Sequence, residues 1–464
     1  MSENHRYISP SEITKMDCWR AYRWYREGIK PRRQPKPLNA GTAWDAFMGE
    51  WFRPVGRIGD NLRDQRSIDQ RLADGVTAAY VKINAAAKQA DATFLQLYGE
   101  GSSEVEAERT EISKLIEGMA LHFADTYIED EHGVCRAVQV KVDAPLPSQS
   151  GSGVSNRYRL HGYIDRIMEH EGRVLIIDDK STSSIEDTFF DDFENDLQMP
   201  LYAYGLPLSQ SWVDLGMSRG VPVDGIGVFA AAKKLPAVPG LRKTPFPVYA
   251  RNGIGEIIME MVDGEPKPVQ ATEPVPCDKC GPTGTADASC KTCLGTGLAH
   301  FASGARKGEM KTSKVTRVGI SSLLSGDGSL NYTTTLAYFE AAIDEHGLDR
   351  SDYIREINFL HEQGLKPFFQ LASIPVTPTT MQEATEVLRA VAPLLDKVPD
   401  APMRNKFRCR RCSFQQACVV ANPEARASVI KTFYSTREER EEQRRLEAEK
   451  AAEANEAVTA TTIH

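Results

Sequence analysis

The sequence predicts an α/β protein with a mixed central sheet flanked by helices. Three observations carry this. First, Leu160-His161-Gly162-Tyr163-Ile164-Asp165-Arg166 and Val174-Leu175-Ile176-Ile177-Asp178-Asp179-Lys180 read as two strands joined by a Glu171-Gly172 turn. The second of them is apolar and β-branched, as in a buried strand. Second, Val138 to Leu146 forms a strand before this pair, and Val223 to Ala232 forms another after a helix that begins at Gln198. The resulting β-β-β-α-β order fits a mixed sheet. Third, Arg66 to Leu97 and Glu104 to Ile128 have helical periodicity and form a cap ahead of the strands.

The hairpin also carries chemistry. It brings Asp165 close to the strand-end group Asp178-x-Lys180. Two carboxylates can hold a hard divalent cation through oxygen, and a lysine beside them can orient a water and stabilise negative charge developing on a phosphate. A surface hairpin with solvated charges is the plain alternative. Gln198-Met199-Pro200-Leu201-Tyr202 follows at the start of the next helix.

From Gly162 to Tyr202 the sequence resembles the PD-(D/E)xK nuclease superfamily in its RecB-like exonuclease branch. That branch carries a GxxD strand, a DxK strand and a QxxxY helix in this order, here Gly162 to Asp165, Asp178 to Lys180 and Gln198 to Tyr202. The resemblance implies a restriction-endonuclease-like sheet and Mg²⁺ or Mn²⁺ held by Asp165 and Asp178. It also implies a further ligand in the Asp179 backbone carbonyl, Lys180 positioning the attacking water, and Gln198 and Tyr202 orienting the active-site helix and strand. In this branch a helix resembling Gly41-Thr42-Ala43-Trp44-Asp45-Ala46-Phe47 presents a histidine to the metal. The aligned residue here is Asp45, with Glu50 as a rival. Aspartate can ligate Mg²⁺ or Mn²⁺ through oxygen.

The nine cysteines are clustered. Cys277-x2-Cys280-x9-Cys290-x2-Cys293 has the spacing of two knuckles closing a tetrahedral thiolate site, usually filled by a structural Zn²⁺. It looks like one zinc unit of the DnaJ-type cysteine-rich domain. Cys409-x2-Cys412-x5-Cys418 supplies three further thiolates. In the RecB-like exonucleases such a C-terminal group joins a cysteine placed before the nuclease motifs to hold an iron-sulfur cluster. Cys18, in the N-terminal helix begun by Ser9-Pro10-Ser11-Glu12, matches that position. The resemblance thus implies a [4Fe-4S] cluster stapling the C-terminus to the N-terminus, with a second all-cysteine zinc site as the alternative. Cys135 is expected to be a buried free thiol.

Six regions are expected: N-terminal helices at 1–58, a helical region at 59–135, a nuclease core at 136–263, a Pro- and Gly-rich zinc insertion at 264–315, a helical and iron-sulfur region at 316–430, and a charged tail at 431–464. With 41% hydrophobic and 26% charged residues, the composition is that of a globular protein. No apolar run reaches transmembrane length and the first ten residues lack a signal-peptide core, so a cytoplasmic protein away from membranes is expected. The net charge of -8 requires any DNA contact to use local basic patches. Lys15 to Lys36 interleaves Arg20, Arg23 and Arg26 with aromatics, and Arg408, Arg410 and Arg411 flank the last cysteines. No GxxxxGK[ST] loop is present, which excludes a P-loop motor. The expectation is a metal-dependent DNA exonuclease acting on single strands or DNA ends, in recombination or repair with protein partners. A catalytically impaired DNA-end-binding protein of the same fold is the alternative, and a zinc unit serving as an interaction or redox module is a third reading.

Overall fold

A computed structural model of the chain describes residues 5–33, 35–54, 66–98, 102–127, 133–151, 153–185, 189–191, 196–241, 246, 247, 249, 250, 252, 258–262, 264–276, 280, 290, 296, 298–301, 305–307, 309–317, 319–325, 330–396, 409, 412–442, 445, 446 and 449. The chain forms two compact units, residues 1–235 with 365–464, and residues 236–364. The segment 264–315 lies inside the second unit.

In the first unit one six-stranded sheet is built from β1 (Arg6–Ile8), β2 (Val134–Pro147), β3 (Val154–His170), β4 (Arg173–Thr182), β5 (Gly225–Ala232) and β6 (Phe369–Pro375). Its order is β1-β3-β4-β5-β6, with β2 on the other edge of β3. Strands β2, β3 and β4 are antiparallel, β4 and β5 are parallel, and β6 runs antiparallel to β5. Every residue of β5 is buried, as its apolar, small-residue sequence requires of a central strand. β1 and β6 are absent from the sequence reading. β1 is too short to show a period, and β6 follows the second unit far along the chain.

Helices cover both faces. On one side α3 (Lys36–Trp51), α4 (Ile68–Tyr98) and α5 (Ser103–Thr126) bury Trp44, Phe47, Trp51 and Phe123 against Phe229 and Phe369 of the sheet. Each such ring contributes roughly 1.5–3 kcal/mol by leaving water. On the other side α1 (Pro10–Ile13), α6 (Gln198–Gly205) and α7 (Pro378–Val391) place Ile13, Leu201 and Leu388 against Leu160, Ile176 and Val228. The predicted start of α1 is a reciprocal cap: Glu12 N donates to Ser9 Oγ at 3.2 Å and Ser9 N donates to Glu12 Oε2 at 2.6 Å.

Cys18 does not lie within a helix, contrary to the sequence reading. Its extended backbone (φ -134°, ψ 101°) breaks the chain just before α2 (Trp19–Arg26). Of the aromatics on α2, Tyr22 and Trp24 are buried in the core, so they are no open stacking surface. The two ends of the unit pair directly. Pro31 and Lys30 form an antiparallel bridge with Tyr434 and Ser435, beneath a small core of Trp24, Ile29, Phe414 and Tyr434.

In the second unit short antiparallel pairs, Met259–Val262 with Glu265–Pro268 and Thr272–Pro274 with Thr312–Lys314, accompany helices Leu336–Glu345 and Ile354–Gln363 around Phe339, Ile343 and Leu360.

Candidate active site

The hairpin turn sets the site. Glu171 (φ 51°) and Gly172 (φ 74°) are both left-handed, the geometry of a two-residue turn that matches strand twist. From it the β3–β4 ladder runs from His170↔Arg173 to Arg166↔Ile177 and stops. Beyond that point β4 continues beside β5 to Thr182, while the same edge of β3 next meets β1 at Leu160. The two strands therefore part at Asp165 and Asp178. In the gap, Asp165 Oδ2 accepts a hydrogen bond from Asp179 N at 2.9 Å, replacing the lost ladder bond.

Asp178 faces this gap. Its Oδ2 lies 2.6 Å from Lys180 Nζ, and its Oδ1 accepts from Gln198 Nε2 at 3.3 Å. Gln198 opens α6, and one turn on the hydroxyl end of the Tyr202 ring lies against Gly162. A Cβ at Gly162 would come 2.5 Å from the Tyr202 hydroxyl. The three sequence motifs thus meet in space. Asp179 points the opposite way, as strand alternation dictates. Its carboxylate is buried in a bidentate pair with Arg166 (2.9 and 2.5 Å), and that guanidinium lies 4.1 Å over the Phe52 ring. Only its backbone carbonyl is left to serve as a ligand.

Asp45, on α3, acts electrostatically on the same group. Burial, then the charges of Asp165 and Asp179, push its carboxyl up to about 8. By accessible surface the Asp45 residue is exposed, so solvent screens part of this upward push. Burial likewise pushes Asp178 up to about 7, against the pull of Lys180, and Asp179 up to about 6, against the pull of Arg166. Lys180 is raised as well: burial opposes its charge, but Asp178 and Asp165 outweigh it. Glu50, the rival to Asp45, is turned elsewhere, 2.6 Å from Arg53 and 3.5 Å from Arg66.

Gln139 is the residue that sequence reasoning missed. It lies between the pairs Val138↔Arg166 and Val140↔Ile164, and its Nε2 donates to Asp165 Oδ1 at 3.1 Å. Its φ of 50° is left-handed, costly for a side chain inside a strand. Alternation breaks here. Val138 packs in the Trp44 core and Val140 in the opposite one, and on β3 Met168 and Ile164 divide in the same way. A glutamine within an alternating strand carries no sequence signal.

The other expected sites are placed as follows. Cys412 has its thiol raised by burial, with further contributions from Cys18, Cys418 and Cys409. Arg20 reaches Cys418 Sγ at 3.9 Å, Arg23 pairs with Glu27 at 2.8 Å, and Arg26 pairs with Glu12 at 3.4 Å. Arg408, Arg410 and Arg411 lie outside the described residues, as do Cys277 and Cys293. Cys280 and Cys290 are half-buried, and Pro276 and Leu298, which flank the cysteine group in sequence, form an isolated antiparallel bridge. Cys135 has its thiol pushed up to about 12 by burial. Among the described residues, no group of three or more His, Cys, Asp or Glu is arranged as a formed metal site, and no helix is long and apolar enough to cross a membrane.

Carboxylates crowded until their protons are held too tightly are a set that a divalent cation would relieve, and a lysine charge beside them suits a phosphodiester. A site of this kind, at the parting of two strands in a helix-flanked mixed sheet, defines a metal-dependent nuclease. The sequence model of the PD-(D/E)XK nuclease superfamily matches residues 7–280, more than half of the chain, and the chain belongs to that superfamily. No curated protein matches it.

Proposed function

We propose that the protein is a DNA exonuclease of the RecB-like branch, dependent on Mg²⁺ or Mn²⁺. The observation that carries this is the sharing of Asp178 between Lys180 and Gln198 beside Asp165. Asp165, Asp178, Asp45 and the Asp179 carbonyl would hold the cation, which supplies Lewis-acid polarisation of the scissile phosphate. Lys180, kept protonated by Asp178, orients the attacking water and stabilises charge developing on the phosphate. Gln198 fixes the second Asp178 oxygen, and Tyr202 locks α6 onto Gly162.

We further assign Cys18, Cys409, Cys412 and Cys418 to a [4Fe-4S] cluster, supported by the Cys409-x2-Cys412-x5-Cys418 spacing and by the pairing of Lys30-Pro31 with Tyr434-Ser435, which links the N-terminal and C-terminal segments that carry them. Cys277, Cys280, Cys290 and Cys293 are assigned to structural Zn²⁺, supported by their spacing and by the bridge between the flanking residues Pro276 and Leu298. The reading places the protein in the cytoplasm, acting on DNA ends with recombination proteins. The alternative, end binding without cleavage, is motivated by Asp45 standing where the branch presents a histidine. One assay separates them. Protein purified without oxygen is incubated with Mn²⁺ and end-labelled single- and double-stranded DNA. Wild type should degrade the DNA while Asp178→Ala and Lys180→Ala do not. Binding without cleavage by wild type would favour the alternative, and near-normal cleavage by both variants would overturn the site.

A further inference from the structure

A groove of about 800 Å³ in the first unit is lined in part by Gly162 and Tyr202, which belong to the motifs of the candidate site, and by Tyr163 between Gly162 and Asp165 in the chain. It lies where the edge of β3 is uncovered, after pairing with β1 ends at Leu160 and before pairing with β4 begins at Arg166. Along its floor His5, Tyr7, His161 and Tyr163 form a continuous row of edge-to-face rings, with centroids 6.2, 5.8 and 5.8 Å apart. Tyr7 and Tyr163 are 41% and 52% exposed. Tyr163 stands two residues before Asp165. Five basic residues (Arg6, Arg26, Lys30, Arg437 and Arg440) and two acidic ones (Glu12 and Glu441) line the groove; Arg26 pairs with Glu12 at 3.4 Å, and Arg6 pairs with Asp396, outside the lining, at 3.0 Å. The groove is thus positive on a chain of net charge -8.

We propose that this groove binds a single nucleic-acid strand, stacking unpaired bases on Tyr7, His161 and Tyr163 while the basic rim follows the phosphates, and delivers the strand to Asp165. The chemistry selects a single strand. In a duplex the base faces are already stacked on one another, so a row of exposed rings has nothing to grip, whereas unpaired bases offer a face at every step. The basic rim supplies the sequence-independent part of the attraction. The inference deepens the nuclease reading and rests on it only for what happens to the strand after binding.

The test is fluorescence anisotropy of the full-length protein with a labelled oligo-dT and a duplex of equal length, in EDTA so that cleavage plays no part. Tyr7→Ala/Tyr163→Ala should bind oligo-dT about tenfold more weakly or worse, since two stacking contacts are lost. Tyr7→Phe/Tyr163→Phe, which keeps the rings, should bind like wild type. Tyr7→Leu/Tyr163→Leu keeps apolar bulk without rings and should behave like the alanine variant, which covers the case in which the alanine variant fails to fold. Unchanged oligo-dT affinity in the leucine variant, or equal wild-type affinity for duplex, overturns the groove assignment. If wild type cleaves no DNA but shows this tyrosine-dependent binding, the nuclease reading fails and the groove assignment stands.

Discussion

Gly162→Ala tests whether the first and third motifs are one mechanical unit. The new Cβ would sit 2.5 Å from the Tyr202 hydroxyl oxygen, 2.8 Å from Cε1 and 3.0 Å from Cζ. Non-bonded carbons rest at about 3.5–4.0 Å, so the ring must retreat by about 1 Å. It has little room to do so. Tyr202 is 6% exposed within the Leu160–Leu201 core, and its hydroxyl is bonded to the Tyr163 backbone. Forcing a methyl into such a place costs about 1–3 kcal/mol. The displacement also propagates along α6 to Gln198 and hence to Asp178, where a misplacement of about 1 Å can lower the rate about 100-fold. Urea unfolding and cleavage of end-labelled DNA measure the two effects. The double variant Gly162→Ala/Tyr202→Leu removes the clash and should recover about 1 kcal/mol or more of stability relative to additivity. Wild-type stability and rate in Gly162→Ala, or strict additivity in the double variant, would refute the reasoning.

Arg166→Ala should lose about 3–5 kcal/mol in urea unfolding, because it leaves the buried Asp179 carboxylate unpaired, whereas Arg166→Met/Asp179→Leu should lie near wild type. Asp179 already has its folded value raised to about 6 from an ordinary 3.8, so the folded state binds its proton more tightly and the group's contribution falls as pH rises from about 4 to 6. Without Arg166 the folded value rises further, so the deficit of Arg166→Ala should be smaller at pH 5 than at pH 8. Gln139→Gly should relieve about 1–2 kcal/mol of left-handed strain while releasing Asp165, giving a protein at least as stable but slower in DNA cleavage; unchanged cleavage would remove Gln139 from the site. Cys18→Ala should lose the brown colour and iron of anaerobically prepared protein and lower its melting temperature, while Cys135→Ala should do neither; full iron content in Cys18→Ala would rule out its ligand role.

Local signals revealed much of this protein because each arises within a few residues. The hairpin could be read from two apolar strands and a Glu-Gly turn, and Asp178-x-Lys180 shares one strand face by alternation alone. The α1 cap could be read because its partners are three residues apart. The order and spacing of Gly162, Asp165, Asp178, Lys180, Gln198 and Tyr202 were sufficient to indicate the family.

The tertiary structure decided what depends on pairing between distant segments. Whether the arginines and aromatics of α2 face solvent or core follows from its docking, which buries Tyr22 and Trp24 and pairs Arg26 with Glu12. In the sequence Asp45 aligns with the family histidine, and Glu50 is a rival about one helical turn on. Only the packing of α3 against the sheet puts Asp45 in the field of Asp165, while Arg53 and Arg66 take Glu50. Gln139 opposes Asp165 only because β2 and β3 pair in one register, and the row from Tyr7 to Tyr163 exists only because β1 joins β3 across some 150 residues of chain. Periodicity assigns a residue to a face of its own strand or helix. Which strand lies alongside is set by closure of the whole sheet, a non-local free energy that no short stretch encodes.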